Sequence, residues 1–462
     1  MKRFFLFSLV IAMLISVSAN FAQEQTIAEI VSTNPEFSTL LAAVSAASPG
    51  ILEALSNPEA QLTVFAPTNA AFEALPDFVV AYVLGNTELL DTVLMYHVVD
   101  GVVMSTDLLG MLDENGMASA MTMAGSELSV MVNIETMVAM VDNATIDMGM
   151  IDIVASNGVI HVIDSVLVPP VDLPEVDAAF VEGDIKTAGS STVAPLSEAI
   201  QAEFVAAGYT GIIENETIGS GAGFERFCVA GDIDISNASA PMPQERRDAC
   251  ATLNPPRFPL ELRVGTDGLA VVTNPANDWA TDLTKAELAV AFSTAVTWAD
   301  VREGFPAEPI LRFIPGTDSG TFTFFVEAIF AKDSAPILAA TETTTSELDT
   351  ELVAGIENNV GAIGFFGYAY YQAEGELLGL VAIDGVVPTA VTVEDGSYAL
   401  ARPLFLYADA GVISAKPQVG QFLSFYLSTV GNVIDEVGYF SASELSSRVA
   451  KLIILALTDM GM

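Results

Sequence analysis

Three times beyond residue 185 the sequence repeats one local design: an apolar strand-like run, a turn of glycine, serine and threonine, and then a helix. The first is Thr187-Ala188-Gly189-Ser190-Ser191-Thr192, followed by Leu196, Ile200 and Phe204 on one helical side. The second, Thr217-Ile218-Gly219-Ser220-Gly221-Ala222-Gly223, leads into Phe224 to Val229, and the third, Pro315-Gly316-Thr317-Asp318-Ser319-Gly320-Thr321, leads into Phe324 to Phe330. A helix start carries unpaired N–H groups and a partial positive charge, nearby hydroxyls add donors, and glycine lets the backbone come close to a guest. One such turn is ordinarily only a helix cap. Three converging would surround a tetrahedral oxyanion with neutral donors and would need no basic patch.

The last point matters because 59 acidic residues face 16 basic ones, a formal charge of −43. Such a field repels nucleic acid and anionic membranes, so no nucleic-acid partner is expected. A small oxyanion would also be repelled unless salt screens it and local dipoles hold it. The 462 residues, 52% hydrophobic, are enough for two or three cores. Met1-Lys2-Arg3, an apolar run from Phe4 to Val17 and small residues at Ala19 and Ala22 read as a signal peptide, residues 1–22, cleaved after Ala22. The run is short of the roughly 20 residues a spanning helix needs, and Leu452 to Leu457 reads as the end of a core helix. In an exported, oxidising setting Cys228 and Cys250 are expected to form a disulfide contributing about 3 kcal/mol.

Between the leader and the first turn lies a different pattern. Phe37, Leu40, Leu41 and Val44 share one helical face, Leu62 to Phe65 reads as a strand, and Val159 to Ile163 as another, closed by Pro169-Pro170. His97 and His161 sit in apolar runs and are expected to be packed and hydrogen-bonded; His161, Asp164 and Ser165 are too close along one strand to converge as a catalytic triad. Ten methionines lie between Met104 and Met150, among them Met121, Met123, Met137 and Met140. Thioethers suit Cu(I), but the spacing lacks a tight Met-x-Met cluster with histidines, and the expected role is a deformable core or contact surface.

Thr63-Val64-Phe65-Ala66-Pro67-Thr68-Asn69-Ala70-Ala71-Phe72, then Tyr96-His97, then Gly158-Val159-Ile160-His161-Val162-Ile163-Asp164 resemble the ordered motifs of the fasciclin (FAS1) domain. The resemblance implies a compact α/β fold with a β-sandwich or wedge over residues 23–172, used for adhesion and protein contacts. The acidic, proline-rich stretch from Pro169 toward Gly183 would be extended and stiff, and marks a linker at residues 173–184.

Residues 185–462 carry a second resemblance. Gly189-Ser190-Ser191-Thr192-Val193, Gly219-Ser220-Gly221-Ala222-Gly223-Phe224, Asp232 to Ser239, and Gly316-Thr317-Asp318-Ser319-Gly320-Thr321-Phe322 are similar to the phosphate-binding protein of the Pst ABC transporter, with support from Gly364 to Tyr370 and Arg402-Pro403-Leu404-Phe405. It implies a periplasmic-binding-protein fold of type 2: two α/β lobes, about 185–265 with 400–462 and about 266–399, joined by hinge crossings that close on the ligand. Carried over by position, the phosphate site would comprise Ser191, Thr192, Val193, Ser220, Gly221, Ser239, Asp318, Ser319, Gly320 and Thr321. Permease and ATPase subunits of an ABC transporter are the implied partners, beside an adhesion partner for the first domain.

Departures from the pattern bear on the ligand. Ser239 stands where some relatives place an aspartate that accepts the proton of hydrogen phosphate, Ala240 and Pro315 stand where relatives have arginine, and Asp318 or Asp267 is left as the acceptor. Asp318 as a mere helix cap is equally open. Arg226 and Arg312 are the nearest candidates for a compensating cation, although a surface or lobe-stabilising salt link is the expected fate of either. Asp232-x-Asp234-x-Ser236 fails as a calcium loop because its twelfth position is Pro243. No nucleotide, zinc or cofactor motif is present, so the expectation is a secreted or periplasmic, non-enzymatic binding protein without cofactors. A surface adhesion protein that uses the binding fold as sensor or scaffold is the competing reading.

Overall fold

The computed structural model describes residues 25–459 apart from 114–115, 134–137, 143, 318, 347, 369–370, 372–377, 390–391 and 394–395. The signal segment with its cleavage point, Met137 and Asp318 therefore lie outside the described residues. The chain forms two compact units, one holding the sequence through Leu173 together with Ser443–Gly461, the other Pro174–Ala442.

The first unit is mixed α/β. Strands β1 (Leu62–Pro67), β2 (Val98–Asp100), β3 (Met117–Met121), β4 (Glu127–Asn133), β5 (Val138–Val141), β6 (Ala144–Thr145), β7 (Ile153–Ala155) and β8 (Gly158–Ile163) make two four-stranded sheets, ordered β2-β1-β8-β7 and β3-β4-β5-β6. The two strands expected from the sequence, β1 and β8, pair in parallel with Thr63 opposite Val159 and Phe65 opposite His161. Both are buried along their whole length, which is why they read as unbroken apolar runs. Helix Ser38–Ala46 turns Leu40, Ala43 and Val44 onto this core, and helix Thr87–Tyr96 adds Leu90, Val93 and Leu94.

Both histidines are packed and hydrogen-bonded, as expected. His97 donates from Nδ1 to the Val93 carbonyl at 2.7 Å and accepts at Nε2 from the Leu167 amide at 2.9 Å. His161 uses the opposite tautomer: Nε2 donates to the Val103 carbonyl at 2.9 Å and Nδ1 accepts from the Asp152 amide at 3.3 Å. A second proton on either ring would confront a donor, and burial already disfavours the charge, pushing His97 down to about 4 and His161 below its ordinary value. Asp164 is turned away, accepting from the Thr145 amide and from Ser165 Oγ.

The last helix, Glu444–Asp459, corrects the expected domain boundary, because it completes the first unit rather than the second. Its apolar side buries Leu445, Leu452, Ile453, Ala456 and Leu457, with Leu452 beside Phe72, Val83 and Val168 in one apolar recess. Its Arg448 donates from Nη1 to Asp142 Oδ2 at 2.7 Å, the Tyr96 hydroxyl at 2.6 Å and the Val168 carbonyl at 3.2 Å. Asp142 is fully buried and also accepts from Tyr96 and the Ser129 amide, so Arg448 supplies its only ion-pair partner among the described residues.

The second unit is built on one nine-stranded sheet. Its strands are β9 (Ile185–Gly189), β10 (Ile213–Thr217), β11 (Ile235–Ala238), β12 (Leu260–Thr273), β14 (Leu311–Pro315), β15 (Thr343–Ser346), β16 (Ala362–Gly367), β17 (Gly379–Leu380) and β19 (Ala401–Ala408); β13 (Asp282–Leu283) and β18 (Ala382–Ile383) pair separately. The order is β10-β9-β11-β19-β12-β16-β14-β15, with β17 against β12. Each expected strand–turn–helix unit is present: β9 precedes helix Ala194–Ala206, β10 precedes Ser220–Glu225, and β14 precedes Gly320–Phe330. Cys228 and Cys250 are joined in a disulfide beside Phe227 and Met242. No single helix among the described residues is long and apolar enough to cross a membrane.

Two outcomes are expected of the first unit. The folded state keeps His97 neutral while the unfolded chain protonates near pH 6.5, so its contribution is intact above that pH and lost on acidification toward pH 4, a loss of about 3 kcal/mol. In an NMR titration the His97 imidazole signals should therefore hold their neutral positions at pH 5, and a midpoint near 6.5 in the folded protein would contradict the burial argument. Arg448→Ala strands a buried carboxylate and should destabilise the first unit by about 3 kcal/mol, read as loss of protection of the β1 and β8 amides in hydrogen exchange.

Candidate functional site

Strand direction assembles the site. Strands β9, β10 and β11 are mutually parallel, so Gly189, Thr217 and Ala238 end at the same side of the sheet. β11 lies antiparallel to β19, β19 antiparallel to β12, and β12 antiparallel to β16, whose direction β14 and β15 share. The two parallel groups therefore run toward each other. Ala238 faces Phe405, Phe405 faces Arg263, and from the other side Gly367 faces Leu269. Both sets of carboxyl ends aim at the short stretch of β12 between those positions, where turns following parallel strands present their N–H groups.

On one side of this stretch the first two turns and the end of β11 are knitted together. Ile218 and Gly219 amides donate to the Gly189 carbonyl at 3.0 and 2.7 Å, and Ser190 donates to the Asn237 carbonyl at 2.9 Å. Glycine is required at 189, where φ is +147° and a Cβ would lie 2.0 Å from the Asn237 carbonyl oxygen, and at 223, where it would lie 2.8 Å from the Gly189 Cα. Ser220 Oγ accepts from the Ser239 amide at 3.1 Å and sits 3.4 Å from the Ser239 hydroxyl. Thr192 is buried and its amide donates to Ser190 Oγ at 3.2 Å. Val193 is wholly buried, so it can offer only its backbone, whereas Ser191 and Gly221 are exposed.

On the other side, Ser319 caps helix Gly320–Phe330 by accepting from the Thr321 amide at 3.1 Å. Ser319, Gly320 and Thr321 are half-buried. The roles weighed for Asp318, proton acceptor or helix cap, fall outside the described residues.

Between the two sides runs a buried ion pair. Asp267 on β12 and Arg402 on β19 are direct cross-strand partners, and Arg402 Nε donates to Asp267 Oδ2 at 2.9 Å. The guanidinium lies 4.0 Å over the Phe324 ring, donates to the Gly320 carbonyl at 3.5 Å, and reaches Glu327 at 3.4 Å. Burial raises the Asp267 pKa and Arg402 opposes that rise. Tyr439 closes the circuit: its hydroxyl donates to the Thr192 carbonyl at 2.8 Å, and its own pKa is raised by burial and then by Asp267. Phe440, the next residue, exchanges backbone hydrogen bonds with Thr266.

Arg226 takes the salt link weighed for it, and Arg312 is engaged by carbonyls. Arg312 is buried and donates to the carbonyls of Ala291, Thr341 and Ala295, tying a helix end to β14, and meets no acid among the described residues. Arg226 is held by Glu216 and Asp232. The arginine between the two sides is Arg402, which the sequence carries within the Arg402-Pro403-Leu404-Phe405 motif but without a role; Tyr439 carries no sequence signal.

Residues 175–430 match the PBP superfamily domain, and residues 35–169 match the Fasciclin domain. Protein SphX of Synechocystis sp. is 38% identical over 275 residues, spanning 57% of this chain and 80% of that protein. Phosphate-binding protein PstS of Staphylococcus haemolyticus is 32% identical over 270 residues, 57% of this chain and 83% of its own. The crystal structure of a possible phosphate binding protein from Planctomyces limnophilus superposes with a TM-score of 0.54 at 35% identity, covering 60% of this chain and 99% of that one.

Proposed function

Because this chain belongs to the PBP superfamily and carries a Fasciclin domain ahead of that region, we propose that its second unit captures inorganic phosphate outside the cytoplasm for delivery to an ABC permease and its ATPase. The single observation behind this reading is the head-on approach of two groups of parallel strands at the Asp267–Arg402 crossing. The names of the relatives, a PstS and a possible phosphate binding protein, support phosphate as the guest.

In this reading the oxyanion lies between the turns at Thr192 and Ser220 and the turn at Ser319–Thr321. Hydroxyls of Thr192, Ser220, Ser239, Ser319 and Thr321 and backbone amides from Val193, Gly221 and Gly320 donate to it. Arg402 adds positive charge that Asp267 partly neutralises, so the cage holds the guest by aimed dipoles more than by net charge. One oxygen of hydrogen phosphate carries a proton and needs an acceptor. Asp267 spends Oδ2 on Arg402, and its carboxylate accepts that proton while repelling fully ionised sulfate. The lobes close about the β12–β19 crossing when the guest binds. The Fasciclin domain tethers the binding unit to a surface, matrix or partner.

Isothermal titration of the full chain with phosphate tests the reading. Ser220→Ala should weaken phosphate about tenfold or more by removing one donor to an anion. Absence of heat with phosphate, sulfate, molybdate and tungstate alike would refute oxyanion capture. Asp267→Asn keeps the size and a hydrogen bond to Arg402 but can donate to sulfate, so the ratio of phosphate to sulfate affinity should fall about tenfold or more; an unchanged ratio would remove Asp267 from the discrimination.

A further inference from the structure

The sequence spacing scatters the methionines of the first unit, but strand register gathers three of them. Met117 on β3 lies directly opposite Met131 on β4, and Met131 lies directly opposite Met140 on β5. Directly opposed residues of antiparallel strands point to the same face, so the three side chains stand in one cross-strand row, which Thr145 on β6 ends. This is the outer face of the sheet. The alternate residues Leu128, Val130 and Val141 are buried at 1%, 1% and 0% exposure, whereas Met117 is 42% exposed and Met131 and Met140 are half-buried.

We infer that the Met117–Met131–Met140 row is a binding site for a soft monovalent cation of the Cu(I) or Ag(I) class. Neighbouring strands are spaced about 4.8 Å apart, so the three Cα atoms span roughly 10 Å, and unbranched thioether side chains can bring their sulfurs to one ion. The ladder fixes the three backbones beforehand, which lowers the ordering cost of binding. Thioethers prefer soft ions and leave hard divalent cations to oxygen ligands.

The rest of the molecule leaves this row with little competition. Cys228 and Cys250 are consumed in the disulfide, so no thiolate is present. Both ring nitrogens of His97 and of His161 are engaged in hydrogen bonds. No group of three or more His, Cys, Asp or Glu side chains able to hold a metal occurs among the described residues. The chain's charge of −43 raises the local concentration of any cation. Thioethers have no proton to lose, so the affinity is independent of pH between 5 and 8, roughly the range in which an imidazole site would titrate.

The test uses the full chain, Ag(I) as a redox-inert probe, and chloride-free buffer without a thiol reductant, so that the disulfide stays closed. With methionine methyl groups labelled with carbon-13, the signals of Met117, Met131 and Met140 should shift together and saturate at one equivalent. Met131→Leu conserves side-chain volume and removes the central sulfur; it should weaken Ag(I) binding roughly tenfold or more with an unchanged melting temperature. Met148→Leu, a substitution of an exposed methionine off the row, should leave the affinity unchanged. Shifts spread evenly over the methionines, or Met131→Leu binding as tightly as the parent, would overturn the proposal.

Discussion

The second unit depends on the antiparallel pairing of β12 with β19. These two strands turn what would be separate parallel sheets into one surface, and they set the opposed directions of the flanking groups. Parallel strands release their helices from the carboxyl end, so facing two such groups toward one another makes both sets of helix starts look inward. Asp267 and Arg402 sit at the meeting point. A buried pair of this kind adds little to stability when intact and costs several kcal/mol when one partner is lost. Its value lies in holding a cation beside Gly320 without leaving it uncompensated.

Several of the scarce arginines are spent inside the fold. Arg312 gathers three carbonyls, Arg257 binds the carbonyls of Phe227, Ile233 and Gly231, and Arg448 answers Asp142. Guanidinium suits this work because its planar fork reaches several acceptors and stays charged when desolvated. The acidic surface is thus left largely unneutralised, and an anion site in such a molecule has to rely on short-range donors.

How far the sequence could be read follows the range of each interaction. The glycine and hydroxyl turns were legible because they encode a local event, a strand passing into a helix with a close backbone approach, as at Gly189 and Gly223. Strands β1 and β8 were legible because full burial makes them continuously apolar. The pairing of Arg402 with Asp267 and the contact of Tyr439 with Thr192 were not, since these partners lie more than a hundred residues apart and meet only in the fold. The methionine row was hidden for the same reason: Met117, Met131 and Met140 have no common period until β3, β4 and β5 are aligned. Arg312 stands inside an apolar strand, where the sequence shows the cation but not its acceptors; burial commits it to the carbonyls of Ala291, Thr341 and Ala295.

The return of helix Glu444–Asp459 to the first unit carries a consequence for biogenesis. The ribosome makes the strands of that unit early but delivers Arg448 only after the whole binding unit has been synthesised. Until then Asp142 has no guanidinium beside it and the recess that receives Leu452 stands open. The unit whose strands precede the binding unit is therefore completed after it, and a chain cut short before Arg448 is marked by a defect far from the cut.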